Sequence, residues 1–387
     1  MVRWVYVQTT INTTSEIVMH FVISREAILK PLQLVSGVVE RRQTLPVLSN
    51  VLLSLDSNSM LSITGTDLEV ELVGRVSVDG PNRPGEITVP ARKLVDICKS
   101  LAEDAKLEFT VEESKMVIKS GRSRFSLATL AASDFPNTEE EPGTIELSLA
   151  QRDLKALLDG TSFAMAQQDV RYYLNGMLFE LAGSYLRVVA TDGHRLAMQT
   201  LHMQNAVDAP VQLILPRKGV VELGRLLSLD QESISMVFGR NHVRARTKDF
   251  TFTSKLVDGK FPDYNRVLPK GGDKIVIGDR NELRQAFTRT SILSNEKYRG
   301  VRILLSDNEV RILANNPDQE EAEESVSVDY NGEALEVGFN VSYLVDVLSV
   351  LGSERVKISL LDSNSSALLE AADGAGNALY VVMPMRL

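Results

Sequence analysis

One pattern occurs three times along the chain, and it limits the fold to a tandem of three similar units. Residues 90–101 read PARKLVDICKSL, residues 216–227 read PRKGVVELGRLL, and residues 339–351 read FNVSYLVDVLSVL. Each spacing predicts a short amphipathic helix that follows an apolar strand. The copies begin at Pro90, Pro216 and Asn340, a period of roughly 125 residues. A second helical pattern keeps the same spacing: SREAILKPLQLVSGVV from Ser24, AQRDLKALLDGTSFAM from Ala150 and DRNELRQAFTRTSILS from Asp279. Three copies of one domain in a row point to a built object, such as an arc or a ring, more than to a single active-site pocket.

Between the helices lie many short strands. In the first copy these are 51–55, 61–66, 68–78, 107–111, 116–120 and 124–130. In 68–78 the alternation sets Leu68, Val70 and Leu72 on one side and Glu69 and Glu71 on the other. The second copy offers MLFEL, LRVVAT, ISMVFG, HVRART and FTFTSKL; the third offers VRILLS, VRILAN, ESVSVDY, LEVGF, VKISLL and ALYVVMPM. Two helices on a strand-rich layer predict an α+β domain with a mostly antiparallel sheet. Linkers rich in turn formers and charge, DFPNTEEEPGT at 134–144 and KGGDK at 270–274, set domains at 19–143, 144–269 and 270–387. Residues 1–18 read as a loose tail or the product of an upstream start, since they lack the apolar core and cleavage site of a signal peptide. Pro31 falls within the first helix pattern, where a kink is expected.

Composition narrows the function. No apolar run is long enough to span a membrane. The lone cysteine, Cys98, excludes an internal disulfide and falls among Leu94, Ile97 and Leu101, as a core thiol would. The formal net charge is −9, which by itself argues against a nucleic-acid binder. Its distribution reverses that argument. The helical segments 25–42, 91–101, 151–160, 216–227, 280–290 and 340–351 hold fifteen Lys/Arg against eight Asp/Glu, a net +7, which leaves −16 for the rest. The last of these helices has no Lys or Arg.

Several stretches also resemble a known family: GTDLEVELVGRV, VPARKLVDICKSL, GRSRFSLATL, QDVRYYLNGM, ATDGHRLA, FTSKLVDGKFPDYNRVLP, LSNEKYRGVR, NNPDQEEAEE, GFNVSYLVDVL and the terminal YVVMPMRL. They closely resemble the bacterial sliding clamp, the beta subunit of DNA polymerase III, from Met19 to Leu387. The resemblance implies three clamp-type domains per chain and a head-to-tail dimeric ring, with helices lining the hole and antiparallel sheets outside. It implies a cytoplasmic processivity factor that encircles double-stranded DNA without reading sequence. Its partners would be a second copy, the replicative polymerase, the clamp loader and other proteins with a clamp-binding motif, with no cofactor. A positive bore that holds duplex without gripping it agrees with the charge pattern.

The resemblance also places three sites. A peptide-binding cleft between the second and third domains would be formed by Leu174, Thr191, Gly193, His194, Arg195, Leu196, Pro262, Arg266, Val267, Asn340, Tyr343, Ser366, Val381, Val382, Met383, Pro384, Met385, Arg386 and Leu387. Methionines suit a surface that accepts several partners, although an apolar C-terminal strand by itself reads as core. Asn364 departs from a family position that is often aliphatic and would make the pocket edge more polar. DNA would lie near Arg42, Gln168, Tyr172, Tyr173, Lys218 and Tyr298; by composition alone these read as solvated charge and half-buried aromatics. The ring seam would set Lys93, Arg122 and Arg124, beside Phe125 and Leu127, against Glu320, Glu321, Glu323 and Glu324, with Ile292 and Leu293 as its apolar part. Without the resemblance the acidic run reads as a solvated loop.

Two other classes stand beside this one. Asp192-Gly193-His194 suggests a metal-dependent nucleic-acid enzyme, but His20, His194, His202 and His242 show no ligand spacing. No phosphate-cradling GxxxxGK[ST] or nucleophile elbow GxSxG occurs, so neither a catalytic nor a metal site is assigned. The other class is a three-domain scaffold that never meets DNA.

Overall fold

The same brace closes each repeat. The backbone N–H of Arg25 donates to Ala105 O at 2.8 Å, that of Gln151 to Glu232 O at 2.9 Å, and that of Arg280 to Glu354 O at 2.9 Å. Each donor is the first residue of a repeat's first helix, and each acceptor follows its second helix. The side chains repeat the theme. Arg25 Nε donates to Cys98 O at 3.1 Å and Arg280 Nη1 to Leu351 O at 2.6 Å, while Gln151 Oε1 accepts from Ser228 N and Oγ. Carbonyls left unpaired at a helix C-terminus attract such donors.

The computed structural model describes residues 17–39, 45–112, 114–136, 143, 145–374 and 376–386, apart from the side chains of 17 and 204–209. The helices are α1 (Arg25–Ser36), α2 (Ala91–Ser100), α3 (Gln151–Asp159), α4 (Arg217–Leu226), α5 (Arg280–Thr290) and α6 (Val341–Val350). They pack in pairs, α1 on α2, α3 on α4 and α5 on α6. In α2 the buried face is Ala91, Leu94, Val95 and Cys98, and in α6 it is Val341, Leu344, Val347 and Leu348. That is the stripe of one helical face, and each fully buried leucine contributes ~1.5–3 kcal/mol. Burial pushes the Cys98 thiol up to about 12, as expected for a core thiol.

The described residues form two compact units. One comprises residues up to 143 with 244–253, the other residues 144–243 with 254–387. The first unit contains an antiparallel sheet in the order 79–83, 17–24, 106–112, 115–120, 123–128, and a second run of strands in the order 70–77, 60–66, 50–55, 85–90. Phe21 lies opposite Phe109, and their rings stack at 4.6 Å. The second unit contains a six-stranded antiparallel sheet in the order 176–191, 195–216, 378–382, 367–371, 355–360, 274–279. A four-stranded sheet in the order 321–327, 309–315, 300–306, 335–340 completes its C-terminal part. The α+β class and the antiparallel pairing agree with the sequence expectation.

Five local points refine or correct the sequence expectations. First, α1 ends at Ser36, so the expected span to 42 is too long; Arg41 and Arg42 lie outside the described residues. The six helices as formed carry thirteen basic and seven acidic residues, a net +6. Second, Pro31 stands inside α1, as its seventh residue, and does not end the helix. Gly74 leaves room for the ring, since a Cβ there would sit 2.8 Å from Pro31 Cβ. Third, Leu68 is not a strand residue. It has φ +77° and is exposed in a turn whose Asp67 Oδ1 accepts from Glu69 N and Val70 N. Fourth, MLFEL and LRVVAT are one strand, 176–191, which bends at irregular register around Gly183 (φ +51°) and does not stop there. Fifth, the first strand starts at Ile17, inside the stretch read as a tail; residues 1–16, including Trp4, lie outside the described residues.

A candidate peptide cleft and its surroundings

The turn joining strands 176–191 and 195–216 is built from ATDGHR. Thr191 Oγ1 donates to Arg195 O at 2.6 Å and accepts from Gly193 N at 3.1 Å. Asp192 Oδ1 accepts from His194 N at 2.9 Å and Arg195 N at 3.0 Å. The φ of +90° at Gly193 favours a residue without Cβ, and a Cβ would lie 2.9 Å from Arg171 Nη1. Asp192 Oδ2 takes Arg195 Nε at 3.1 Å. Both carboxylate oxygens are thus committed to the turn, which gives Asp192 a structural reason distinct from metal binding or catalysis. Among the described residues, no group of three or more His, Cys, Asp or Glu could hold a metal ion.

Arg195 is the hub beneath this turn. Besides Asp192, it donates to Asp346 Oδ2 at 2.5 Å and Phe163 O at 2.7 Å. Its guanidinium carbon lies 4.5 Å from the Tyr343 ring centre and 5.2 Å from that of Phe163. A planar, delocalised cation suits this combination of stacking and forked donation. Burial, its largest cause, holds the Tyr343 hydroxyl above its usual range.

Strand 378–382 pairs with 195–199, with Val382 opposite Arg195 and Val381 opposite Leu196. Met383 N donates to His194 O at 2.9 Å, and Met385 N to Gly338 O at 2.9 Å. This carries the C-terminal segment past the turn. The outcome is a cavity of about 180 Å³. Of the expected cleft residues, Leu174, Thr191, Gly193, Arg195, Leu196, Pro262, Val267, Val381 and Met383 line it. Sequence reasoning missed Arg171, Phe261, Asp263 and Tyr264, which complete the wall. The signal was present in KFPDYNRVLP, where two aromatics flank a Pro-Asp turn.

The remaining expected cleft residues lie outside that wall. His194 is exposed and contributes its carbonyl. Arg266 is mostly exposed and pairs with Asp263 at 3.0 Å. Asn340 caps α6 by accepting from Ser342 N at 2.9 Å. Tyr343 stacks on Arg195, Val382 is buried in the sheet, Ser366, Pro384 and Met385 are half-buried, and Arg386 is exposed. Asn364 is exposed. Leu387 lies outside the described residues. A larger cavity of about 730 Å³, lined in part by Asp153, Gln199, Ser349 and Asn377, contains none of the expected site residues.

Arg171 grips Asp169 with two bonds, Nε to Oδ1 at 3.0 Å and Nη2 to Oδ2 at 2.8 Å, and Nη2 also reaches Asp192 O at 3.1 Å. The Arg171 guanidinium holds the Asp169 carboxyl down to about 2. Next in the chain come two expected DNA residues. Tyr172 and Tyr173 meet edge-on at 5.8 Å, and both lie within 3.6 Å of where a Cβ on Gly259 would stand. Tyr172 is exposed, as is Gln168, whose φ is +55°. Lys218 is half-buried at the start of α4. Tyr298 is exposed with Lys297 Nζ 5.2 Å over its ring. Arg42 lies outside the described residues.

The expected seam residues fall on two sheet edges. Strand 123–128, at one edge of the five-stranded sheet, bears exposed Arg124 next to exposed Arg122, with Phe125 half-buried. Leu127 is buried at 7% exposure and belongs to the core, not to a free surface. Lys93 is exposed on α2. Strand 321–327, at the edge of the four-stranded sheet, bears the acidic run. Glu324 accepts a forked pair of bonds from Arg289 at 2.6 and 2.9 Å, and Glu323 is paired with Arg311. Glu320 takes Asn316 Nδ2 at 2.6 Å, and Glu321 is exposed. Ile292 is 73% exposed and Leu293 half-buried.

Comparison with known proteins agrees with this architecture along the chain. Residues 19–139, 148–263 and 265–386 match, in turn, the N-terminal, central and C-terminal domains of the DNA polymerase III beta subunit. The chain is 64% identical over 369 residues to the beta sliding clamp of Pseudomonas aeruginosa, covering 95% of this chain and 100% of that one. Over the same shares it is 53% identical to the beta sliding clamp of Vibrio cholerae and 52% to that of Escherichia coli. The crystal structure of a Pseudomonas aeruginosa DnaN sliding clamp bound to griselimycin matches with a TM-score of 0.93 at 64% identity, over 95% of this chain and 100% of that one. A Bartonella birtlesii sliding clamp bound to griselimycin matches with a TM-score of 0.91 at 38% identity over the same shares. Three domain matches spanning almost the whole chain, together with identity at this level, make the chain a member of the DNA polymerase III beta subunit family, the beta sliding clamps.

Proposed function

We propose that the chain is a DNA sliding clamp, a processivity factor that encircles duplex DNA and tethers the replicative polymerase. Its three domains span 19–143, 144–269 and 270–387. Two copies close head to tail, with helices toward the bore and sheets outward. The observation that carries this reading is charge segregation: six helices with a net +6 in a chain of net −9. Such a bore tolerates phosphate while the acidic remainder repels stray duplex. Weak, water-rich contacts are required, because each neutralised phosphate adds salt-dependent binding that would oppose sliding.

The 180 Å³ cavity is the deep part of a cleft that takes short peptide segments of the polymerase, the clamp loader and other partners. Its wall is mostly apolar with a few fixed polar groups, which suits a peptide anchor. The seam pairs the basic edge 122–124 with the acidic edge 320–324, and Ile292 and Leu293 supply its apolar contact. The protein has no chemistry of its own and acts in the cytoplasm. With no phosphate-cradling motif in the chain, ring opening falls to a separate ATP-driven loader.

The test is topological. Protein loaded on a nicked circle should stay bound in high salt and be lost when the circle is cut to a linear form. Equal loss from both forms in high salt would refute encirclement, and conversion of the DNA in a chelator-sensitive manner would revive the enzyme reading.

A further inference from the structure

Tyr264 lines the cavity and is only 4% exposed. Its hydroxyl is held from two directions. It donates to Glu180 Oε2 at 3.0 Å and accepts from Arg187 Nη1 at 3.0 Å. Glu180 is itself buried, at 8% exposure, and receives two further donors: the Tyr185 hydroxyl to Oε1 at 2.8 Å and Gln212 Nε2 to Oε2 at 2.8 Å. Arg187 Nε donates to Thr200 Oγ1 at 3.0 Å, and its guanidinium carbon lies 4.6 Å from the centre of the Tyr185 ring.

Five of these six residues belong to one hairpin. Glu180 lies opposite Gln212, and Arg187 opposite Thr200, in the pairing of strands 176–191 and 195–216. Tyr264 comes from elsewhere, the segment between Leu256 and Leu268 that supplies the Phe261–Val267 wall. A buried carboxylate such as Glu180, held beside the half-buried Arg187, costs free energy that an apolar side chain would not, even when well bonded. What such a pair does, and leucines could not, is fix a phenol hydroxyl at one point. Neither Glu180 nor Arg187 lines the cavity.

We infer that Glu180 and Arg187 are positioning residues for the cleft, which lock Tyr264 and with it the Phe261–Val267 wall in the shape that receives a ligand. The inference rests on the cavity being the ligand cleft. The two anchors act through one hydroxyl, so their effects on binding are coupled.

The test uses the full-length chain with griselimycin, the compound bound to the similar Pseudomonas aeruginosa and Bartonella birtlesii clamps, as the probe, titrated by calorimetry, with a urea melt of every variant. Tyr264→Phe and Arg187→Met should each weaken binding by about threefold to tenfold, the range one lost hydrogen bond gives. The double variant should be no weaker than the worse single one. Glu180→Gln, which keeps an acceptor, should recover most of the affinity lost in Glu180→Leu. If Arg187→Met or Glu180→Leu fails to fold, Tyr264→Phe, which removes a single oxygen, carries the decision. Wild-type affinity in Tyr264→Phe while Met383→Ala binds weakly overturns the inference and leaves the cleft standing. Wild-type affinity in Met383→Ala as well removes the cleft itself. Fully additive losses that follow only the melting midpoints would reduce the network to a stability role and overturn the inference.

Discussion

Thr66 and Thr191 hold the same turn in two different repeats. Each hydroxyl donates to the carbonyl four residues on, at 2.9 Å and 2.6 Å, and each accepts from the N–H two residues on, at 3.0 Å and 3.1 Å. The next residue, Asp67 or Asp192, accepts from the N–H groups two and three residues further on in both. The copies differ at the third position. Gly193 takes φ +90° freely, whereas Leu68 is forced to φ +77°. A left-handed conformation costs a residue with a Cβ about 1–2 kcal/mol. Leu68→Gly should therefore raise stability, by about 0.5 kcal/mol after the extra freedom of glycine in the unfolded chain is allowed for. Gly193→Ala should lower it by about 1–2 kcal/mol and push Arg171 off its place. Urea melts of the two variants should shift in opposite directions; a common direction would mean the turns are not equivalent.

Arg195 should not tolerate the conservative change to lysine. Its side chain is 12% exposed, makes bonds to Asp192, Asp346 and Phe163 O, and stacks on Tyr343. A lysine ammonium can keep one of these acceptors but offers neither the fork nor the flat face. Arg195→Lys should cost about 2–4 kcal/mol, measured as a loss of unfolding free energy at neutral pH. Asp346→Asn should cost about 1 kcal/mol, because that carboxylate is partly in water and Asp192 still partners the guanidinium. A lysine variant within about 0.5 kcal/mol of wild type would show that Arg195 is a surface charge and not the hub of the turn.

Acid should loosen the Asp169–Arg171 grip in a defined window. The folded carboxyl titrates at about 2, below its ordinary 3.8, because Arg171 stabilises the charged form. A depressed folded value means the contribution is complete above the unfolded value and disappears as pH falls from there through about 2. From pH 6 to 3 the stability of the wild type should therefore fall more steeply than that of Asp169→Asn, which has nothing to lose. Urea midpoints taken across that range give the two slopes, and parallel curves would contradict the assigned cause.

Helix placement was legible in the sequence because the 3.6-residue apolar stripe is a direct consequence of burying one face. All six helices lie where the stripe put them, and only α1 was drawn too long, since Val38 and Val39 continue the apolar pattern past the last helical residue. Strand ends were harder to read. Alternation drew Leu68 into a strand because hydrophobicity does not register an aspartate that caps two N–H groups. It split 176–191 because a glycine and a serine look like an end, while the register shifts around Gly183 simply bend the strand. The candidate cleft was expected from the motifs that carry the family resemblance, not from a volume. Leu196 and Val381, expected there, line the cavity. Arg171 and Tyr264 stand in QDVRYYLNGM and KFPDYNRVLP but were passed over, because the reach of Arg171 to Asp192 O and of Tyr264 to buried Glu180 joins residues far apart in the chain.

The proposed seam makes a prediction that separates apolar contact from charge. Ile292 is 73% exposed in the turn just after α5, where a partner chain could bury its apolar surface. Glu324 and Glu323 already have cations within the chain, Arg289 and Arg311, so their attraction for a second chain is partly satisfied. Glu321 is exposed beside them on the edge strand. Exposed ion pairs are worth about 0–1 kcal/mol each, whereas removing two aliphatic side chains from a buried contact costs about 2–5 kcal/mol apiece at full burial. Ile292→Ala with Leu293→Ala should therefore give monomers at micromolar concentration. Glu321→Ala should weaken the dimer about two- to fivefold and more at low salt than at high, because salt screens the attraction it removes. Sedimentation equilibrium over a concentration series gives both constants. A double variant that remains as dimeric as wild type would move the seam away from the end of α5, whatever the charges do.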